Sequence, residues 1–356
     1  SWSWSNQPRL RLGRTDQPQP GYIDAFRRVL VTHPLDLHAF VGEGRVCTAL
    51  AYAVIDGCQP DQMGSIGCEL DDLFDLASLT KPFATVSTIA HLLADGVIEL
   101  DQRLDLWLPE APLLLGEQRI ADLLHHRAGL LAFSEQLAQG LQGSGERRLR
   151  ELRHRVLDVP LKHKPGTIVY SDLGFILLAW ICQRAGRPVD DLAAELGFVV
   201  PDGSHVKRCI PTGFDPDDHP LVGRVHDPTC RLAGGRNCGH AGWFGSLRTT
   251  ANAVRQWLDL SQGRPSLLPD AAQLLIVAEA GERTAGFDVP TEGGTTGGGW
   301  GQGTFGHLGY TGTAFWVDPE ADRAAVLLTN RTWPDGTDRG IGDLRRHFFG
   351  AVARRR

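Results

Sequence analysis

The chain has 356 residues, of which 42% are hydrophobic and 22% charged, ordinary values for a globular protein with room for one large domain or two that share an interface. A formal net charge of −6 argues against nucleic acid as a main partner, since phosphate binding wants a basic surface, and no run of eighteen apolar residues exists to span a membrane. Seven cysteines, odd in number and irregularly spaced, make no disulfide framework and favour a reducing compartment.

Residues 1–19 are rich in Pro, Gln and Ser and are expected to form a flexible arm. They carry neither a basic start nor an apolar h-region, which favours a cytoplasmic chain; the only methionine is Met63, so a trimmed N-terminus and a periplasmic protein stay open. Tyr22–Leu30 has apolar residues at helical spacing. His38–Val41 and Val46–Ile55, either side of Gly42-Glu43-Gly44-Arg45, read as a β-hairpin. Leu73–Leu76 is expected as a short strand leading to Ser78. From there Phe83, Val86, Ile89, Ala90 and Leu93 repeat at three and four, and Gly96 closes a helix. Leu100–Pro109 reads as an irregular apolar segment. Helical patterns follow at Ile120–His126, Arg147–Val156, Leu173–Ala185 and Thr250–Leu260, with a long ordered loop over 201–246. Gly281–Gly303 is glycine-rich, which predicts a flexible surface segment unless something anchors it. Ala314–Asp318 and Ala324–Asn330 read as strands and Leu344–Ala353 as a last helix. Strands at both ends with helices between predict one sheet assembled from the two ends of the chain, with the helical section packed beside it.

Ser78 and Lys81 stand three apart at the head of the first strongly apolar helix, so their side chains share a face. The serine is a candidate nucleophile and the lysine a candidate base. Only four of the 36 basic residues are lysine (Lys81, Lys162, Lys164, Lys207). A proton shuttle is a position where arginine cannot substitute, because it does not deprotonate. Spacing alone does not choose, since Ser204 and Lys207 repeat it, but those lie between Pro201-Asp202-Gly203 and Pro211 rather than at a helix start. Tyr170, in Lys164–Gly174, is a candidate to relay the proton to a leaving group, set against the plainer role of a half-buried packing tyrosine with Ser171 or Asp172 as N-cap.

Ser78-Leu79-Thr80-Lys81, Tyr170-Ser171-Asp172 and His307-Leu308-Gly309, in this order, resemble the Ser-x-x-Lys, Tyr-x-Asn and Lys/His-x-Gly elements of the penicillin-recognising serine hydrolases. The similarity points to the branch of class C β-lactamases, family VIII carboxylesterases and D-amino-acid peptidases. Ile120–Leu130, Val225-His226-Asp227, Gly239–Gly245 and Gly309–Thr313 resemble further segments of that family, so the likeness covers roughly residues 20 to 335. It implies an α+β fold of the β-lactamase/transpeptidase type: a mixed, mainly antiparallel sheet built from both ends of the chain, flanked by helices. Residues 20–80 with 300–356 would form the sheet domain and residues 81–299 the helical domain, with the active site at their interface. It also implies Ser78 as nucleophile, Lys81 and Tyr170 as the proton-handling pair, and the backbone N–H groups of Ser78 and Tyr310 as the oxyanion hole. Asp172, His307, Gly309, Trp243 and Trp300 would line the substrate, the two tryptophans giving an apolar slot with Phe133.

One departure stands out. Asp172 replaces an asparagine, and an ionised carboxylate accepts hydrogen bonds without donating them. Loss of an amide donor weighs against β-lactams and toward an esterase or amidase on small acyl substrates, with weak β-lactamase activity beside it. A β-lactamase, a D-aminopeptidase or DD-peptidase, and a catalytically silent binding protein are the alternatives. Asp172 could also pair with Lys81 and hold it protonated. No cofactor is called for. His226, Cys230, Cys238 and His240 are metal-ligand types, but their spacing fits no standard zinc pattern, so no metal is expected.

Overall fold

In the computed structural model the described residues are 36–57, 59, 61–236, 238–277 and 283–355; the expected arm at 1–19 and the expected helix at 22–30 lie outside them. Among these residues seven strands follow in order: β1 (Leu50–Asp56), β2 (Gln62–Ile66), β3 (Phe74–Asp75), β4 (Phe244–Gly245), β5 (Phe305–Leu308), β6 (Ala314–Asp318) and β7 (Arg323–Thr329). Five of them make an antiparallel sheet in the order β2-β1-β7-β6-β5. The central pairing runs from Leu50↔Thr329 to Asp56↔Arg323, so the two ends of the chain meet as the sequence leads one to expect.

Both faces of this sheet are covered, which is why its strands read as nearly continuous apolar runs. Ala51, Ala53 and Ile55 of β1 face one core with Phe315, Val317, Val326 and Leu328. Leu50 and Val54 face the other with Trp316 and Leu327. Among the described residues five helices reach eight residues, α1 (Ser87–Ala94), α2 (Gly145–Leu157), α3 (Asp172–Arg184), α4 (Leu247–Ser261) and α5 (Ile341–Ala353), and of these α4 and α5 lie on the sheet. The buried stripe Leu247, Ala251, Val254, Trp257 and Leu258 of α4 lies against β7 and β1. Leu344, Phe348 and Phe349 of α5 close the opposite face. α3 is apolar all round, with Leu173 to Cys182 buried without interruption, the signature of a helix inside a core.

Three expectations change. The expected hairpin about Gly42–Arg45 is not one: His38–Phe40 is a 3₁₀ turn, and the partner of β1 beyond the next loop is β2. Apolar runs alone do not say which neighbour a strand takes. The irregular Leu100–Pro109 segment contains the short helix Leu104–Trp107. The described part of the glycine-rich stretch is anchored rather than loose. Gly301 N–H donates to Asp318 Oδ2 at 2.8 Å, Gln302 N–H donates to Glu320 Oε2 at 2.8 Å, and Asp288 bridges to Gly306. Gly297, at φ 75°, lies so close to the backbone of Arg346 and Gly350 in α5 that no Cβ would fit. The glycines there serve close approach of two backbones.

Phe83 joins the helical section to the sheet, its ring stacked between Phe198 (5.4 Å between centroids) and Phe315 of β6 (4.9 Å). Phe83→Ala is therefore expected to cost about 3–5 kcal/mol, read as a lower urea midpoint at unchanged slope. Phe83→Leu should lose much less, and equal midpoints for wild type and Phe83→Ala would contradict this role.

Candidate active site

The approach to Ser78 is fixed from three sides. β3 pairs with β4, and Leu76 N–H donates to Trp243 O at 3.0 Å. Ala77 then takes a positive φ of 47°, unfavourable for a side chain with a Cβ. The buried Asp75 carboxylate supports that turn by accepting from Ala77 N–H at 2.8 Å, while its other oxygen accepts from His226 N–H at 2.7 Å. Burial holds this carboxyl up at about 6, although both N–H groups favour its charged form. Ala77–Leu79 is a 3₁₀ turn, followed by a π segment at Lys81–Val86 and then α1. In a 3₁₀ turn residues three apart eclipse, so Lys81 lies against Ser78, with 3.1 Å between Nζ and Oγ.

Lys81 is fully buried, and its ammonium is ion-paired. Nζ donates to Asp172 Oδ1 at 2.5 Å and to His240 O at 3.4 Å. Burial weighs against the ammonium, but the Asp172 carboxylate, Tyr170 and their hydrogen bonds outweigh it, so the amine is held above the ordinary lysine range. Asp172 is the first residue of α3, where a negative charge is favoured. Its position is set by Ser171, the N-cap, which accepts from Gly174 N–H at 3.3 Å and donates to Leu131 O at 2.6 Å.

Tyr170 covers this pair, with the Lys81 ammonium 4.7 Å from its ring centroid. Burial raises the phenol above its usual value and Asp172 adds to that. The Lys81 charge and hydrogen bonding to Lys81 and Ser78 pull the other way. Two buried imidazoles flank the ring, His126 at 4.6 Å and His307 at 5.9 Å. His126 Nδ1 accepts from Ser171 N–H at 2.9 Å, which leaves the proton on Nε2. His307 Nδ1 faces its neighbour's carbonyl, Leu308 O, at 2.9 Å and so carries the proton. Burial first, then nearby cations including Lys81 and Arg283, drive both well below the ordinary histidine value, so both are neutral.

The turn after β5 docks on the Ser78 loop. Thr311 Oγ1 donates to Asp75 O at 2.8 Å and Thr313 Oγ1 donates to Leu76 O at 3.1 Å. Gly309 lies so close to Thr313 and to Leu76 O that any side chain there would collide. Tyr310 brings its backbone to the same turn while its ring, 45% exposed, lies beside Arg331 and His226. Trp243 is buried with its backbone bonded on both sides of Ser78, to Leu76 and, at 3.5 Å, to Thr80 Oγ1. Trp300 is not brought to this place, which corrects its expected role as a lining residue. Its ring is 6.3 Å from Phe349 of α5, on the sheet face opposite His307, because the glycines before it bind the segment to α5. Ser204 and Lys207 are exposed, and Ser204 Oγ donates to Asp202 Oδ1 at 2.6 Å in its own surface turn.

Behind Lys81 lies a second ion pair, its histidine buried and its carboxylate partly exposed, that sequence reasoning did not single out as a pair. Asp227 Oδ1 is 3.0 Å from His240 Nε2 and also accepts from Cys230 N–H at 2.7 Å as a helix N-cap. Burial opposes the histidine charge, but Asp227 more than offsets it and holds His240 up at about 9. Burial likewise opposes the Asp227 carboxylate, yet His240 keeps it down at about 2. Lys81, Asp172, His240 and Asp227 thus form a neutral cluster of two cations and two anions. Both histidine-bearing loops resemble family segments in sequence, but pairing across thirteen positions leaves no periodic trace. Asp75, His126 and Arg283 escaped for the same reason.

The family model described as Beta-lactamase matches residues 38–347. A protein of Escherichia coli (strain K12), named as a provisional D-alanyl-D-alanine carboxypeptidase, is 26% identical over 306 residues, 73% of this chain and 69% of that one. The N-acetylmuramyl-L-alanine amidase of Bacillus subtilis (strain 168) is 26% identical over 301 residues, 73% of this chain and 68% of that one. Among solved structures, a class C beta lactamase from Rhodobacter sphaeroides superimposes with a TM-score of 0.63 at 19% identity, covering 85% of this chain and 93% of that chain. Among the described residues no helix is long and apolar enough to cross a membrane.

The His240–Asp227 pair makes a signed prediction. His240 is raised from 6.5 to about 9, so its stabilisation is present below 6.5 and lost as pH rises through about 9. Asp227 is lowered from 3.8 to about 2, so its share is present above 3.8 and lost toward about 2. The stability advantage of wild type over His240→Gln should shrink by about 3 kcal/mol between neutral and alkaline pH. Urea unfolding across that range checks it, and a pH-independent difference would show that the pair is not charged.

Proposed function

Because the chain belongs to the Beta-lactamase family of penicillin-recognising serine hydrolases, we propose that it hydrolyses small acyl substrates, esters and amides, through an acyl-enzyme on Ser78. The observation that carries this reading is the contact of Lys81 Nζ with Ser78 Oγ at 3.1 Å, at a helix start, with the Tyr170 ring 4.7 Å from the same ammonium. Ser78 Oγ attacks the carbonyl carbon and its proton passes to the Tyr170–Lys81 pair. The carbonyl oxygen becomes an oxyanion facing the backbone N–H groups of Ser78 and Tyr310. Collapse expels the leaving group, which takes the proton back from the pair, and water then cleaves the acyl ester by the same route in reverse.

Asp172 sets the terms of the proton transfer. At rest Lys81 is an ammonium and Tyr170 a neutral phenol, so one of them must lose a proton before the pair can act as a base. The Asp172 charge keeps both protonated, by direct pairing with Lys81 and by repulsion of a phenolate. Its Oδ1 is engaged by Lys81, and the side chain offers no amide donor for an acylamide group, which supports esters and simple amides over β-lactams. The name of the 26% identical Escherichia coli relative, a D-alanyl-D-alanine carboxypeptidase, supports a second reading in which the acyl donor is a D-alanyl peptide.

Hydrolysis of p-nitrophenyl acetate and butyrate, nitrocefin and D-alanyl-D-alanine peptides tests the reading. Ester turnover is expected to exceed nitrocefin turnover and to fall by at least about 10³-fold in Ser78→Ala; turnover that survives this substitution would sink the assignment. The kcat/KM for p-nitrophenyl acetate should rise with pH on the alkaline side. In Asp172→Asn the ammonium and the phenol both lose the group that holds their protons, so this ascending limb should move to lower pH. A limb that stays in place would exclude the Lys81–Tyr170 pair as the titrating base.

A further inference from the structure

Arg345 of α5 is a buried guanidinium with no ion pair among the described residues. Its Nη2 donates to Gly309 O at 2.9 Å and to Thr313 O at 2.9 Å, and its buried Nε has no hydrogen-bond partner. Burying an arginine without a carboxylate is costly. Burial, with the Arg331 charge next, weighs against this guanidinium strongly enough to bring it down to about 9, against smaller help from Asp338 and Asp288. The turn it touches does not need the charge to close: Gly309 N–H already donates to Thr313 O at 2.7 Å and Gly312 N–H to Gly309 O at 3.1 Å. Two threonine hydroxyls further dock it on Asp75 and Leu76.

Of the two peptide units that the charge reaches, Thr313–Ala314 and Gly309–Tyr310, the second bears on the site. The Gly309 carbonyl and the Tyr310 N–H belong to the same planar group, and the bond is trans, so oxygen and hydrogen point in opposite directions. A cation donating to the oxygen pins the plane from behind. It also draws electron density from the N–H and makes it a stronger donor, the cooperative effect expected where hydrogen bonds run in series in a dry environment. We propose that Arg345 is a positioning residue for the acyl-transfer step, fixing and polarising the Gly309–Tyr310 peptide so that the Tyr310 N–H is aimed and strengthened for the developing oxyanion. The proposal rests on the reading of that N–H as one arm of the oxyanion hole. It explains why the face of α5 turned to the sheet carries a buried guanidinium where an apolar residue would pack at less cost.

The test uses the full chain as wild type, Arg345→Met, which keeps the bulk and removes the charge, and Arg345→Lys, which keeps the charge but lacks the planar fork. In folded Arg345→Met, kcat for p-nitrophenyl acetate should fall about 10–100-fold with KM within about twofold, because the lost interaction strengthens only as the oxyanion forms. Affinity for a boronic acid, whose adduct on Ser78 is a tetrahedral anion, should fall by a similar factor, and Arg345→Lys should lie between. An independent readout needs no turnover. The chain has four tyrosines, so selective ¹⁵N-tyrosine labelling gives a sparse amide spectrum in which Tyr310 is assigned through Tyr310→Phe. Its resonance should move in both Arg345 variants.

A folded Arg345→Met that keeps wild-type kcat, loses only in KM, or leaves the Tyr310 resonance unmoved overturns the proposal. If that variant does not fold, Arg345→Lys decides by the same readouts. If hydrolysis proves independent of Ser78, the hydrolase reading falls, and the Tyr310 resonance still decides whether Arg345 acts on this peptide.

Discussion

A lysine ammonium with no exposure to water must have a carboxylate against it or lose its proton, and here the partner is Asp172 at 2.5 Å. Much of the surrounding architecture serves that one contact. α3 has to begin at residue 172, so its N-cap Ser171 is bonded to Leu131 and its backbone N–H to His126. The helix that carries Lys81 has to start with a tight turn, which Asp75 supports through Ala77. Behind it, the His240 carbonyl oxygen accepts from the Lys81 ammonium while the His240 ring charge is balanced by Asp227. The result is a neutral cluster with its two cations buried and its two carboxylates partly exposed, and with the Ser78 hydroxyl at its edge.

The sheet contributes the other half of the site. β5 and the turn after it present His307, Gly309 and Tyr310 because β5 is the last strand of the sheet, paired with β6 on one side and held on the other by the Asp288–Gly306 bridge alone among the described residues. Docking of that turn onto Asp75 and Leu76 by two threonine hydroxyls sets the distance between sheet and helix, and it works only because residue 309 has no side chain. The packing of Phe83 between Phe198 and Phe315 keeps the two halves in register. Function and fold therefore share the same contacts, so a change at Gly309 or Phe83 acts on geometry before it acts on chemistry.

How far the sequence could be read follows from the range of each signal. α3 and α4 were legible to within a few residues because their apolar periodicity lies within a dozen positions. The sheet from both ends was legible from strand-like runs, but the partner of β1 was not, since strand pairing is a contact between distant segments. Gly281–Gly303 looks flexible by composition, and only the nearness of α5 shows why glycine is needed at 297. Trp300 looked like a lining residue because its segment precedes His307, whereas the sheet separates the two rings.

Residue types in order were enough to suggest Ser78, Lys81, Tyr170 and His307 as one site, and family membership then followed from 310 consecutive positions. They were enough as well to raise the question of Asp172, since a carboxylate in place of an amide changes what the position can donate. The answer required three dimensions. Whether Asp172 faces Lys81 or solvent depends on where α3 starts relative to α1, and the charge state of a buried amine depends on every group within a few ångströms, whatever their separation along the chain. The same holds for Arg345 and the Asp227–His240 pair, whose partners are set by packing that no local pattern encodes.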